Sequence, residues 1–354
     1  MLPIAILAGG LATRLRPITH TSAKQLVPVA NKPVLFYGLE AMRAAGITEV
    51  GIVVGETRAE IEAAVGDGSR FGLEVTYLPQ DAPRGLAHAV LIAEEFLRDE
   101  PFVMYLGDNL LKEGIAPFVR AFEESGPDAL ILLQKVKDPS SYGIAELEDG
   151  RVTRLVEKPA EPRSDLALVG VYLFTPAVFE SVKAITPSPR GELEITDAIQ
   201  HMIERGLRVE PHTVTGWWKD TGKLEDMLEA NRLILGTIEG DVRGVATDCT
   251  LEGAVQIGAG SVLERCTVRG PVVIGERCRL SDTYVGPYTA ISDGVVVEHA
   301  EIEHSIILEN SRICRLGARM ADSLIGRDCV IAHSDALPVA YRFMVGDSSQ
   351  IGIL

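Results

Sequence analysis

The sequence predicts an α/β domain built on a mostly parallel sheet, followed by a second domain of stacked β coils. Three observations predict it. Through the first two thirds, short apolar runs alternate with amphipathic stretches of roughly ten to fifteen residues, the pattern of strands joined by crossover helices. Past about residue 239, apolar residues recur every six positions instead, a period that fits neither an α-helix nor a simple hairpin. At 354 residues the chain is long enough for two domains with sizeable cores.

The first element is PIAILA, an apolar run of strand length that stops at Gly9-Gly10. A buried strand running into a glycine turn leaves backbone N–H groups unobstructed, so an anion can approach the main chain closely. Arg14 and Lys24 would bring cationic side chains to the same place, as triphosphate chemistry needs. A lone Gly-Gly would be an ordinary strand turn, but here two glycines, two arginines and a lysine fall within 16 residues. Residues 34–45 have helical spacing and end at Gly46; 50–54 reads as a strand, 58–65 as a helix and 75–78 as a strand. Residues 87–97 read as a helix and 102–106 as an apolar strand. In such sheets ligands bind at the carboxyl ends of the strands.

Polar motifs fall at those ends. Gln80 and Gly85 follow the 75–78 strand: an amide offers donor and acceptor to a base edge, and glycine at a helix head bares the backbone, although a plain loop explains both equally well. Asp108, in LGDN after the 102–106 strand, is placed to hold Mg²⁺, with turn capping as the alternative. Residues 145–147 and 152–156 form a hairpin around Glu148-Asp149-Gly150, with Tyr142-Gly143 and Glu157-Lys158 at its ends. A carboxylate can take two hydroxyls and an ammonium can bind phosphate, although an isolated Glu-Lys pair is usually a solvated surface pair. RGELEITD at 190–197 precedes a helix that Thr196 or Asp197 could cap.

Composition narrows the partners. A net charge of -16 and a pI near 5.0 argue against nucleic acid or an anionic membrane. No apolar run approaches the ~20 residues that span a bilayer, and the chain enters a strand without a charged leader, so a cytoplasmic location is expected. The five cysteines all lie in the last third without a C-x-x-C pair; small buried residues in a reducing compartment are expected, with structural zinc as the alternative.

The run LAGGLATRLRPIT, followed by KQLVPV and KP, matches neither common phosphate-loop pattern. It closely resembles the signature of the sugar-1-phosphate nucleotidylyltransferases, with Ala12 where that family usually has glycine. The resemblance implies a Rossmann-like nucleotidyltransferase domain over 1–238 and assigns roles to the motifs. Leu7, Gly9, Gly10, Arg14, Lys24, Gln80, Gly85 and Asp108 would bind the nucleotide. Tyr142, Gly143, Glu157, Lys158, Gly170, Tyr172, Arg190 and Trp218 would hold the sugar phosphate. Asp108 and Asp220, the latter from the GWWKDTG motif, would bind Mg²⁺, and Arg14, Lys24 and Lys158 would be catalytic. Arg84, His88 and Lys219 fall at the family's variable positions, and Trp217 can be plain core. Residues 20–41 with a hexapeptide tail are most similar to the long-form members that join dTTP and glucose-1-phosphate into dTDP-glucose and pyrophosphate for deoxysugar pathways. A UTP-using or broad-specificity enzyme and a non-catalytic regulatory subunit are the alternatives.

The six-residue period runs through Leu251 and Ile257; Val262, Val268, Ile274 and Leu280; Val285, Ile291 and Val297; Ile302 and Leu308; and Ile325 and Ile331, with resets of about five. It looks like a left-handed parallel β-helix of the hexapeptide-repeat class over 239–340, with 341–354 as a capping or docking tail. Such domains are often acyltransferases, for which His299, His304 and His333 are the local candidate bases; structural extension and contact in a homo-oligomer is the preferred expectation.

Overall fold

The computed structural model describes residues 4–7 and 23–334. Gly9, Gly10, Arg14 and the 341–354 tail lie outside these residues. The described chain forms two compact units: 4–7, 23–26 and 34–220 in one, 27–33 and 221–334 in the other.

The first unit is an α/β/α layer around a nine-stranded sheet. Its strands are β1 (Ile4–Leu7), β4 (Glu49–Val54), β5 (Glu74–Pro79), β6 (Phe102–Leu106), β8 (Ala129–Lys135), β9 (Gly143–Glu148), β10 (Arg151–Glu157), β11 (Leu166–Phe174) and β12 (Val209–Thr213). β2 (Pro28–Val29) and β3 (Lys32–Pro33) belong to the second unit, and β7 (Asn109–Leu111) pairs with β13 (Trp218–Asp220) as a separate ribbon. β5-β4-β1-β6 is a parallel run, β11 enters antiparallel beside β6, and β8 and β9 both pair with its far edge. Only β10 and β11 oppose the other strands, so the sheet is mostly parallel. Helices α1 (Val34–Ala44), α2 (Arg58–Val65) and α5 (Ala116–Ser125) cover one face; α3 (Leu86–Ile92), α4 (Glu94–Leu97), α6 (Val178–Ala184) and α7 (Ile195–Glu204) cover the other.

Strand pleating explains this division. In β6, Val103 and Tyr105 join the α1 side while Phe102 and Met104 join the α3 side, so the strand is buried on both faces and reads as a continuous apolar run. The expected single helix over 87–97 divides at Ala93, whose N–H is shared between the carbonyls of Ala89 and Val90, a local tightening of the turn. Strand order reverses about β1, which places the β1 and β6 carboxyl ends at the topological switch point where ligands bind.

The second unit contains α8 (Leu224–Leu235) and a parallel β-solenoid whose faces carry six, six and four strands. Successive coils pair 17 residues apart: Val255 with Val272, and Val272 with Thr289. A 17-residue coil divides as six, six and five, which corrects Val262 in the strict six-residue reading, and a 16-residue coil, in which Ile291 pairs with Ile307, corrects Leu308. Leu263, not Val262, points inward, being fully buried while Val262 is 39% exposed; Ile307, not Leu308, joins the stacked core. Leu263→Ala is therefore expected to destabilise by about 2–5 kcal/mol and Val262→Ala by no more than about 0.5 kcal/mol. Urea unfolding midpoints for the two variants check the register.

Corners are turned by non-glycine residues at positive φ, stacked one coil apart: Asp248, Arg265, Asp282, His299 and Arg315. The histidines weighed as acyl-transfer bases lie among such charged rims. His299 is 3.9 Å from Asp282, and His304, also at positive φ, pairs with Asp322 at 2.5 Å; His333 donates its backbone N–H to Cys314. All five cysteines are free. Cys266, Cys278 and Cys314 are buried as expected, and burial pushes the Cys266 thiol up to about 11; Cys249 and Cys329 are only half-buried because they stand at the ends of the stack. Among the described residues no group of three or more metal-ligating side chains exists, and no helix is long and apolar enough to cross a membrane.

Candidate active site

The site begins with a ribbon. β13 pairs antiparallel with β7, setting Asp220 opposite Asn109 and so beside Asp108, which stands two residues past the end of β6. Lys24, in the short 3₁₀ turn Lys24–Leu26, is hydrogen-bonded to Asp108 Oδ2 and lies 3.8 Å from Asp220 Oδ1. Its side chain is 11% exposed, so this ammonium between two carboxylates is strongly sheltered from water. Lys24, Asp108 and Asp220 are far apart in sequence and adjacent in space.

Asn109 is the residue that sequence reasoning missed. It is 2% exposed, its Nδ2 donates to Asp108 Oδ1 at 2.8 Å, and its Oδ1 accepts from Trp218 Nε1 at 2.5 Å. Tyr105 donates its hydroxyl to the Asn109 carbonyl; burial, with Asp108 nearby, pushes that phenol well up and keeps it a neutral donor. A buried amide beside a metal-ligand candidate was the available signal.

Trp218 carries the site toward its other end, its ring meeting Tyr142 edge-on at 5.4 Å. Tyr142 precedes Gly143, which faces Glu157 across the β9–β10 pair. A Cβ on Gly143 would lie 2.7 Å from Thr196 and 3.0 Å from Glu157, so this position has no room for a side chain. Glu157 lies 3.6 Å from Lys158 and 3.3 Å from Arg190, and Thr196 donates to it at 3.4 Å. Arg190 is also within 3.3 Å of Glu194 and 3.4 Å of Glu192, so three carboxylates aim one guanidinium. Burial raises the Glu194 carboxyl, and the hydrogen bond from Ser188 opposes the shift. Thr196 and Asp197 do not cap α7, a correction to the expectation. Glu194 is the residue before the helix and both lie inside its first turn, freeing Thr196 Oγ1 for Glu157.

Gly170 sits at a bulge in β11 with φ +81, where a Cβ would approach Leu106 at 2.9 Å and Asn109 at 3.0 Å. Tyr172 is buried in the core and stacked on Phe174, and burial, with Glu157 nearby, pushes its phenol up. Leu7 ends β1, in register with Val53 and Leu106. Gln80 pairs through Nε2 with His88 Nδ1 at 3.1 Å, which gives His88 a contact that its variable position had not implied.

The model for nucleotidyl transferases matches residues 4–236. The chain belongs to the nucleotidyl transferase family. Two full-length relatives are glucose-1-phosphate thymidylyltransferases. That of Streptomyces griseus is 54% identical over 350 residues, and that of Streptomyces antibioticus is 53% identical over 351, each match covering 98% of both chains. Among solved structures, a UDP-glucose pyrophosphorylase complexed with UDP-glucose aligns at a TM-score of 0.60 and 26% identity, covering 67% of this chain and 99% of that one. In this nucleotidyl transferase, then, two carboxylates and a lysine stand at one end of a wall of Asn109, Trp218 and Tyr142, and Glu157, Lys158 and Arg190 stand at the other.

The carboxylate end fits a divalent cation. Asp108 and Asp220 already share one cationic group, and Mg²⁺ is typically held by one or two carboxylates with substrate phosphates and water.

Proposed function

We propose that this nucleotidyl transferase joins glucose-1-phosphate to dTTP, releasing pyrophosphate and giving dTDP-glucose. The observation that carries the reading is similarity above half identity, along essentially the whole chain, to two thymidylyltransferases. A sugar-phosphate oxygen attacks the α-phosphorus, the bond from that phosphorus to the bridging oxygen breaks, and pyrophosphate leaves in line. Catalysis is then positioning and charge stabilisation, with no protein nucleophile.

Asp108 and Asp220 would hold Mg²⁺, which supplies charge neutralisation on the phosphate oxygens. Lys24, with Arg14, would match charge moving onto the leaving pyrophosphate. Lys158 and Arg190 receive the sugar phosphate, while Glu157 accepts from sugar hydroxyls. Gln80 and the backbone at Gly85 face the base. The adjacent exposed valines Val245 and Val262, in register on outer positions of one solenoid face, support the expected homo-oligomer.

Pyrophosphate release with glucose-1-phosphate, Mg²⁺ and each nucleoside triphosphate in turn tests the reading. Release with dTTP is expected to exceed that with UTP, ATP, GTP and CTP. A UTP preference would keep the chemistry and favour the second reading, for which the UDP-glucose pyrophosphorylase likeness speaks. Absence of release from folded protein would leave the non-catalytic subunit.

A further inference from the structure

A buried carboxylate of the first unit has no part in the transfer described above. Glu194 is 3% exposed and stands immediately before α7, yet its side chain makes no capping bond to that helix. It turns instead to the segment before it. Ser188 Oγ donates to Glu194 Oε1 at 2.9 Å and accepts from the Arg190 N–H at 3.2 Å, so one hydroxyl ties the carboxylate to the arginine's backbone. The same Glu194 oxygen lies 3.3 Å from Arg190 Nη1. Nη1 also donates to Glu157 Oε1 at 3.3 Å, and Nη2 donates to Glu192 Oε2 at 3.4 Å. The charged groups facing Glu194 are therefore Arg190 and Glu192 from its own segment and Glu157 from the end of β10.

The three carboxylates around Arg190 are not equivalent. Glu192 is the most open to water, and an ion pair there contributes little. Glu157, in the reading above, turns to sugar hydroxyls once substrate binds. Glu194 is buried and held from two sides: Ser188 grips its carboxylate, and its own carbonyl accepts from the Ala198 N–H inside α7 at 3.3 Å. A carboxylate sheltered in this way keeps its charge only beside a partner, and a charge-assisted contact away from water is strong. The Arg190 side chain is 41% exposed and long, so without such a hold its guanidinium would sample many rotamers.

We propose that Glu194 is a positioning residue that holds Arg190 at the sugar-phosphate end of the site, so that affinity for glucose-1-phosphate follows the charge on this buried carboxylate. The inference rests on the role proposed above for Arg190. An arginine ordered before the substrate arrives loses less conformational freedom on binding, a saving of about three- to tenfold in affinity. Burial pushes the Glu194 carboxyl up, with Ser188 opposing and Glu157 reinforcing the shift. As pH falls, its charge is therefore lost before that of an ordinary glutamate.

The test uses variants of the full chain. Glu194→Gln keeps the shape and an oxygen for Ser188 and removes the charge. KM for glucose-1-phosphate is expected to rise about three- to tenfold near neutral pH, while kcat and KM for dTTP hold. The ratio of variant to wild-type KM should close toward one on acidification, as the wild type loses the same charge. The sugar phosphate's own second ionisation, at about pH 6, acts on both proteins and cancels in that ratio. A purely structural role would give a ratio that does not move with pH. Ser188→Ala should reproduce part of the rise. In an Arg190→Ala background Glu194→Gln should cost nothing further, because the carboxylate acts through that arginine. An unchanged KM, a pH-independent ratio or multiplicative losses would overturn the inference. Guanidinium NMR separates it from the functional reading. In substrate-free protein, rotation about the Arg190 Cζ bonds is expected to be slower in the wild type than in Glu194→Gln, whichever nucleotide the enzyme uses. Equal rotation in the two proteins refutes the positioning role.

Discussion

Asp220→Asn is expected to lower pyrophosphate release by about 10²–10³-fold, the range typical for deleting one preorganised electrostatic group. The amide is isosteric, so the β7–β13 ribbon and the pairing of Asp220 with Asn109 survive. What changes is charge. Lys24 stands between Asp108 and Asp220, so the three groups together carry one net negative charge available to a divalent cation. With asparagine at 220 the lysine neutralises Asp108 alone, and the attraction for Mg²⁺ falls away. The thermal midpoint should hardly move, since the attraction lost with Lys24 at 3.8 Å is offset by the repulsion relieved with Asp108. Turnover and Tm measured on one preparation check both halves; full turnover in this variant would remove Asp220 from the metal site.

Gly85→Ala should have the largest effect on the fold. Gly85 has φ +99 and ψ 171, a region essentially reserved for glycine, and forcing another residue there costs about 1–3 kcal/mol. Space is the greater obstacle, because an added Cβ would lie 2.4 Å from the Leu193 oxygen and 2.7 Å from its nitrogen. Leu193 cannot retreat freely: its N–H donates to the Arg84 carbonyl at 2.8 Å and its carbonyl accepts from Ala87 at 3.0 Å. Moving it disturbs 190–197, and with it Arg190 and Thr196 beside Glu157. One methyl group at the proposed base-binding end is thus expected to weaken glucose-1-phosphate binding as well. Gly191→Ala, at φ +77 with nothing within 4 Å, is the control for backbone strain without collision. Denaturant midpoints and KM for both substrates compare the two variants.

The motifs of the site were legible because its chemistry uses side chains in local runs. LGDN announces a polar group at the end of an apolar stretch, and GWWKDTG and RGELEITD gather polar groups within a few residues. Their grouping was not legible from spacing: Asp108 and Asp220 meet through a three-residue ribbon that no periodicity reveals. Tyr172 shows the converse, since a motif match placed it at the sugar while the pleat of β11 turns it into the core with Phe174. Thr196 looked like a cap because caps and ligands draw on the same residue types, and only the start of α7 separates the two roles.

The sequence by itself determined the class of each unit, since apolar periodicity records how many faces an element buries: continuous runs in the sheet, a repeat of about six in the solenoid. It pointed to the chemistry through a likeness, because LAGGLATRLRPIT with KQLVPV resembles the nucleotidylyltransferase signature. Tertiary structure alone decided the phase of the coil, where a 17-residue turn moves the inward position from Val262 to Leu263. It also decided that residues 27–33 leave the unit of Lys24 for that of Asn231. Such assignments depend on hydrogen bonds between residues some 200 positions apart, and a local pattern carries no trace of a partner that distant.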